Sequence, residues 1–203
     1  LWVEDAKILR SRAAEPTASA DAAVILGVLI GDPDEPTLGV ADPRTLATAE
    51  WLLHWSAGAF PINDYGAPAV GRGPSDRYFG GNPWLPTTLG FAELFFRLAG
   101  AMPGQAQEAS ASAVRSFLQR LGGEPAMEAA TDRIVLGRKL MDIGDAFLAT
   151  VRRHVPEAGR LPEQIDGATG APRSSPDLTW SHAALIAATE ARRASAEALA
   201  GAR

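Results

Sequence analysis

Asn82-Pro83-Trp84-Leu85-Pro86-Thr87-Thr88-Leu89-Gly90-Phe91-Ala92-Glu93-Leu94-Phe95-Phe96-Arg97-Leu98-Ala99-Gly100 decides the fold class. It opens with a capping side chain and a proline, both marks of a helix N-terminus. Leu85, Leu89, Ala92, Phe95, Phe96 and Ala99 then recur at spacings of three and four. That is the period of one helix face. Gly100 stops the run, and Pro86 removes one more backbone donor in the first turn.

The same grammar repeats outward from this helix. Asp42-Pro43 is a second cap-then-proline start, with a helix through Leu46, Ala49, Leu52, Leu53 and Ala57 to Gly58. A third helix carries Val114, Phe117, Leu118 and Leu121 and stops at Gly122-Gly123. Thr131 or Asp132 opens a long one through Ile134, Leu136, Leu140, Ile143, Phe147, Leu148 and Val151, ending near His154 before Pro156. Ser175-Pro176-Asp177 starts the last, through Trp180, Ala184, Leu185, Ala188 and Ala191. The Ala-rich, alternately charged residues 192–203 are expected to fray. Residues 21–30 are apolar throughout, so periodicity does not separate strand from helix there, and Ser19 and Asp21 as caps favour helix. Residues 1–14 read as a helix with Trp2, Ile8 and Leu9 on one side, broken by Glu15-Pro16-Thr17. Convincing period-two strands are absent. The reading is all-α, with about six or seven helices joined by alternately short and long loops.

Composition narrows the function classes. The chain has 203 residues, 46% hydrophobic, enough for the core of one domain. No run of 18 apolar residues points to a membrane helix. The net charge of −5 argues against nucleic acid or an anionic membrane as partner. Without cysteine there is no disulfide, thiolate nucleophile or Cys-based metal site. His54, His154 and His182 fall in three separate helical segments, so no metal or other cofactor is expected. No G-x-S-x-G elbow or Walker-type loop occurs, and Gly71-Arg72-Gly73 is too short to cradle a phosphate. The first residue is Leu1 and no leader pattern follows it, so the chain reads as a piece of a longer one.

Chemistry concentrates in two loops. Residues 59–81 form a long Gly-, Pro- and Asp-rich connection carrying Tyr65, Arg72, Asp76, Tyr78 and Phe79. A connection of that length in a compact domain is usually functional. Residues 155–176 carry Leu161-Pro162-Glu163-Gln164-Ile165-Asp166, and Asp177-Leu178-Thr179-Trp180 follows. Carboxylate, amide and indole together suit a sugar: the carboxylate moves protons, the amide bonds hydroxyls, and the indole covers the C–H face of a pyranose. Arg72 sits between two glycines, where the backbone can approach a ligand; its fork suits adjacent sugar hydroxyls or a pair with Asp76. Trp84 and Trp180 lie in first helical turns, facing what the loops enclose. Each feature has a plainer reading too: loop acids near a helix N-terminus, a surface Arg–Asp pair, and tryptophans packed in the core.

Two motifs together go further. Ala69-Val70-Gly71-Arg72-Gly73-Pro74-Ser75-Asp76-Arg77-Tyr78-Phe79-Gly80-Gly81-Asn82-Pro83-Trp84, with Thr88, Ala92 and Glu93, resembles the arginine loop and following helix of glucoamylases, glycoside hydrolase family 15. Gly159-Arg160-Leu161-Pro162-Glu163-Gln164-Ile165-Asp166, then Thr169-Gly170 and Asp177-Leu178-Thr179-Trp180-Ser181-His182-Ala183-Ala184, is similar to that family's catalytic-base loop and last barrel helix. The resemblance implies roughly the C-terminal half of an (α/α)6 barrel, with residues 1–203 as a single partial catalytic domain. It implies an inverting enzyme that releases β-D-glucose from the non-reducing ends of α-1,4-glucans such as starch or maltooligosaccharide. By it, Glu163 matches the general base and Arg72 the arginine that bonds substrate near the cleavage point. Asp76, Tyr78 and Trp84 match the pocket wall, and Trp180 an aromatic beside the innermost sugar. It points to a secreted or periplasmic setting, where glucan polymers are met. The family's Trp-Glu-Glu general-acid element does not occur here, and Leu1-Trp2-Val3-Glu4 is only faintly like it. The alternative is a catalytically inactive helical module that binds glucan or a protein partner.

Overall fold

The computed structural model describes residues 1–12, 19–35, 37–64, 67–103, 108–122, 132–155 and 159–202. Their elements are β1 (Trp2–Val3), β2 (Ile8–Leu9), α1 (Ala23–Ile30), α2 (Pro43–Ala59), α3 (Leu85–Ala101), α4 (Glu108–Arg120), α5 (Arg133–His154), β3 (Gln164–Ile165), β4 (Pro172–Arg173) and α6 (Thr179–Gly201). Tyr65, the 15–17 break, Gly123, Thr131 and Pro156 lie outside the described residues.

The helix that decides the fold class is also its centre. Every residue of α3 except Arg97, Gly100 and Ala101 is buried, because α5, α6 and α1 all pack against it. Phe95 stacks on Phe117 of α4 and on Phe147 of α5, at 5.8 and 5.5 Å between ring centroids. α5 comes so close to α3 that a Cβ on Gly144 would lie 2.4 Å from Phe96 Cε1. The one acid buried in α3, Glu93, accepts a 2.7 Å bond from Arg97 Nε one turn on.

Helix starts follow the sequence unevenly. Asp42 caps α2, its carboxylate accepting from Arg44 N at 2.8 Å. Asp132 caps α5 through Ile134 N and Val135 N. Asn82 does not cap α3; Trp84 holds that position with no side-chain cap bond. The Leu85 N–H is met instead by the Glu163 carbonyl at 3.0 Å, so a tertiary contact replaces the local cap. Leu178 likewise precedes α6, rather than the Ser175-Pro176-Asp177 cap expected.

Two expectations are overturned. The segment expected as a helix over 1–14 is not one in its described residues, 1–12: Trp2 pairs with Leu9 and Val3 with Ile8 in an antiparallel hairpin. Three apolar residues fix no period, and Leu9 N finds Thr48 Oγ1 of α2 at 2.8 Å instead of a helical carbonyl. The 192–203 tail does not fray, since α6 runs on to Gly201. Ser195 Oγ donates to Phe96 O at 2.5 Å, and Leu199 is buried against Gly137. Its alternating charges pair along the helix, Arg193 with both Glu190 and Glu197.

Candidate active site

The arginine loop runs into the N-terminus of α3 and the base-bearing loop meets it there, so the backbone is joined from two sides. Trp84 N donates to Val70 O at 3.0 Å, joining the start of α3 to the arginine loop. Ile165 N donates to Pro83 O at 3.1 Å, joining it to the β3–β4 hairpin. Asn82, relieved of capping, bridges the two loops: Nδ2 donates to Phe79 O at 2.7 Å and Oδ1 accepts from Gly167 N at 3.1 Å.

Glu163 sits at this junction. Its N–H donates to Ser175 O at 2.9 Å while its carbonyl receives Leu85 N, so the backbone is held on both sides. Ser181 Oγ of α6 fixes the preceding Pro162 carbonyl at 2.8 Å. The Glu163 carboxylate accepts a close bond from Ser174 Oγ, which lies 3.5 Å from the Tyr78 hydroxyl. Ser174 holds a left-handed backbone at φ 59°, a costly conformation for a non-glycine residue that aims its hydroxyl at Glu163.

The arginine loop supplies the opposite side. The Arg72 guanidinium carbon stands 5.7 Å from the centre of the Trp84 ring, within cation–π range. Its ion-pair partner is Asp21 at 3.3 Å, not Asp76. Asp76 is already committed: Oδ2 accepts Trp84 Nε1 at 2.9 Å and Oδ1 accepts Tyr78 N at 3.0 Å. It therefore orients two rings of the wall. Tyr78 lies 5.5 Å from Trp84, and Trp180 meets Trp84 edge-on at 6.2 Å. Trp84 is 5% exposed, whereas Tyr78 and Trp180 are 47% and 42% exposed, so two rings offer their faces outward.

The loop reaches this shape through a left-handed run at Phe79, Gly80 and Gly81, with φ of 48°, 96° and 72°. At Gly81 a Cβ would also lie 2.5 Å from Asp76 O, which reserves the position for glycine.

The second carboxylate of the base loop has another task. Asp166 accepts from the Arg173 fork, from the N–H groups of Ala168 and Thr169, and from Thr169 Oγ1. Arg173 first, then these donors, hold its carboxyl well below the usual carboxylate range. Asp166 is thus the ionised clasp of the hairpin that presents Glu163 and Ser174. Gln164 is fully buried, its Nε2 donating to Tyr78 O at 3.3 Å.

All six residues singled out from the sequence (Arg72, Asp76, Tyr78, Trp84, Glu163 and Trp180) therefore meet on one face, linked by contacts from Arg72 through Trp84 and Tyr78 to Ser174 and Glu163. Ser174, Asp21 and Asn82 escaped sequence reasoning, because their roles follow from hairpin register and loop crossing. Only the Thr169-Gly170 turn signalled that residues after Asp166 fold back on Glu163. Among the described residues, no group of three or more His, Asp or Glu stands close enough to hold a metal ion.

Helices packed around a central α3, with a carboxylate, a guanidinium and an aromatic wall at its N-terminus, define a segment of a helical barrel that carries its site on loops. The chain belongs to the glycosyl hydrolases family 15, whose family model matches residues 2–190. It is 30% identical to glucoamylase 1 of Rhizopus oryzae over 186 residues, covering 85% of this chain and 31% of that protein. It is 28% identical to a glucoamylase of Blastobotrys adeninivorans over 193 residues, covering 85% of this chain and 31% of the relative. The solved glucoamylase of Hormoconis resinae superposes with a TM-score of 0.78 at 26% identity, over 94% of this chain and 35% of that one. The fold is part of an (α/α)6 barrel, and the chain spans about a third of the length of the curated relatives it matches.

Proposed function

We propose that residues 1–203 form the base-bearing part of an inverting glucoamylase-type hydrolase acting on α-1,4-glucans, with Glu163 as general base. The observation that carries this reading is the setting of Glu163. Its backbone is fixed by the N-terminal turns of two helices, and its carboxylate is steered by Ser174 beside the Tyr78–Trp84–Trp180 wall. A glucose ring resting on that wall places its anomeric carbon within reach of a water held by Glu163. Arg72, backed by Asp21, bonds ring hydroxyls from the other side.

Inversion needs a second carboxyl about 6.5–9.5 Å from the base, across the sugar. The acids around this site are committed elsewhere: Asp21 to Arg72, Asp76 to Trp84, Asp166 to Arg173 and Asp177 to His182. Glu4 is taken by Lys7 and Trp2 in the β1–β2 hairpin. By the family resemblance the general acid belongs to a Trp-Glu-Glu element, which does not occur in residues 1–203.

The test is Glu163→Gln in a chain extended to the rest of the barrel, assayed on maltotriose and on α-glucosyl fluoride. Fluoride leaves without protonation, so losing an acid spares it, whereas losing the base slows both substrates. The reading predicts that both rates fall by roughly 10²–10⁴. A spared fluoride rate makes Glu163 the acid and overturns the assignment.

A further inference from the structure

Arg72 stands between two glycines whose backbones are pressed by neighbours. A Cβ on Gly71 would lie 2.8 Å from Phe60 Cζ and 2.9 Å from Trp55 Cη2. A Cβ on Gly73 would lie 2.4 Å from Ala20 O. The Arg72 carbonyl itself accepts Ala22 N at 2.7 Å. The main chain at Arg72 is therefore fixed. What remains to be set is the direction of a long side chain, which costs entropy to hold in one pose.

We propose that Asp21 is a positioning residue for the arginine loop: it does not touch substrate, but holds the Arg72 guanidinium in the pose that meets sugar hydroxyls. The inference rests on the function proposed above. Three observations favour it. First, Asp21 is a rigid post, because its neighbours Ala20 and Ala22 are 0% and 1% exposed and anchor its backbone in the core. Second, its carboxylate is divided between two tasks. Oδ1 accepts Ala23 N at 2.8 Å in the first turn of α1, which fixes the carboxylate; Oδ2 accepts Arg72 Nη2 at 3.3 Å, across 51 positions of sequence. Third, Arg72 is held but not used up. Among the described residues its only side-chain partners are Asp21 and the Trp84 ring, 5.7 Å from the guanidinium carbon. Most of its five N–H groups thus stay open to a ligand. The pair is also partly exposed, at 37% for Arg72 and 18% for Asp21, so it adds little to stability. Its worth lies in orientation, since a guanidinium already aimed loses less freedom when a sugar binds.

The experiment measures kcat and KM on maltotriose for a chain extended to the rest of the barrel and carrying Asp21→Ser, Arg72→Ala or both. Serine is too short to reach Arg72 but keeps an oxygen for Ala23 N, so the turn into α1 survives. Asp21→Ser should raise KM about fivefold, the upper range for a partly exposed ion pair, and change kcat by less than about twofold. In the Arg72→Ala background the same replacement should change KM by no more than about 1.5-fold, because the two residues act as one unit. A purely structural role predicts instead the same rise in both backgrounds. Asp21→Asn, nearly isosteric with the wild type, guards against a folding defect and should also raise KM, by about twofold. An unchanged KM in both Asp21 variants, or a rise that persists in full without Arg72, overturns the inference. If Arg72→Ala raises KM while the Asp21 variants do not, the proposed function stands and this inference falls. If the extended wild type hydrolyses nothing, the function falls and takes the inference with it.

Discussion

Replacing Asp42 by Asn isolates one electrostatic contribution to the scaffold that carries the site. The Asp42 carboxylate is 6% exposed and takes four bonds: Leu38 N at 2.9 Å, Arg44 N at 2.8 Å, Arg44 Nε at 3.0 Å and Arg44 Nη2 at 2.7 Å. The Arg44 fork, helped by the backbone donors, outweighs desolvation and lowers its pKa from 3.8 to about 2. The folded value lies below the unfolded one, so the stabilisation is fully present above pH 3.8 and is lost as pH falls through about 2. At roughly 1.4 kcal/mol per pH unit it amounts to about 2 kcal/mol at neutral pH, about half of that near pH 3, and little at pH 2. Asn keeps one oxygen for the helix cap but cannot accept from both backbone donors and the guanidinium fork together. Urea unfolding of wild type and Asp42→Asn, followed by circular dichroism at pH 7, 5, 4 and 3, measures the difference directly. It should be about 2 kcal/mol at pH 7 and 5 and shrink towards pH 3. A difference that stays constant from pH 7 to pH 3 would refute the ionic origin and leave only the cap.

Three further perturbations probe the core and the site. Gly144→Ala drives a methyl to 2.4 Å from Phe96 Cε1, and should cost about 1–3 kcal/mol in urea unfolding. Ser174→Ala removes the hydroxyl that steers Glu163, and should lower kcat on maltotriose about tenfold in the extended chain with KM little changed. Asp76→Ala releases Trp84 Nε1 and Tyr78 N, and should raise KM about tenfold, more than it lowers kcat.

The fold class was legible because α3, α2 and α5 carry apolar residues at helical spacing, and because Asp42 and Asp132 cap in the ordinary local way. The starts of α3 and α6 were less legible, since their first N–H groups and loops are satisfied by distant backbone. Asn82 shows the cost of local reasoning: it has the residue type of a cap but serves as a bridge between loops. The helix expected over 1–14 was a misreading of its described residues, because a hairpin of two-residue strands leaves too short a pattern to set a period. At the site, the resemblance carried by the two motifs named six side chains that the structure places near one another. Their partnerships were not readable, because Asp21 reaches Arg72 across 51 positions and Ser174 reaches Glu163 through a hairpin turn.

The most direct test of the central claim is the anomer first released from maltotriose by the extended chain, followed by ¹H NMR before mutarotation. With Glu163 activating a water on the face opposite the leaving group, β-glucose appears first, and Glu163→Gln abolishes it. α-Glucose as the first product, or β-glucose formed undiminished by Glu163→Gln, would contradict the account.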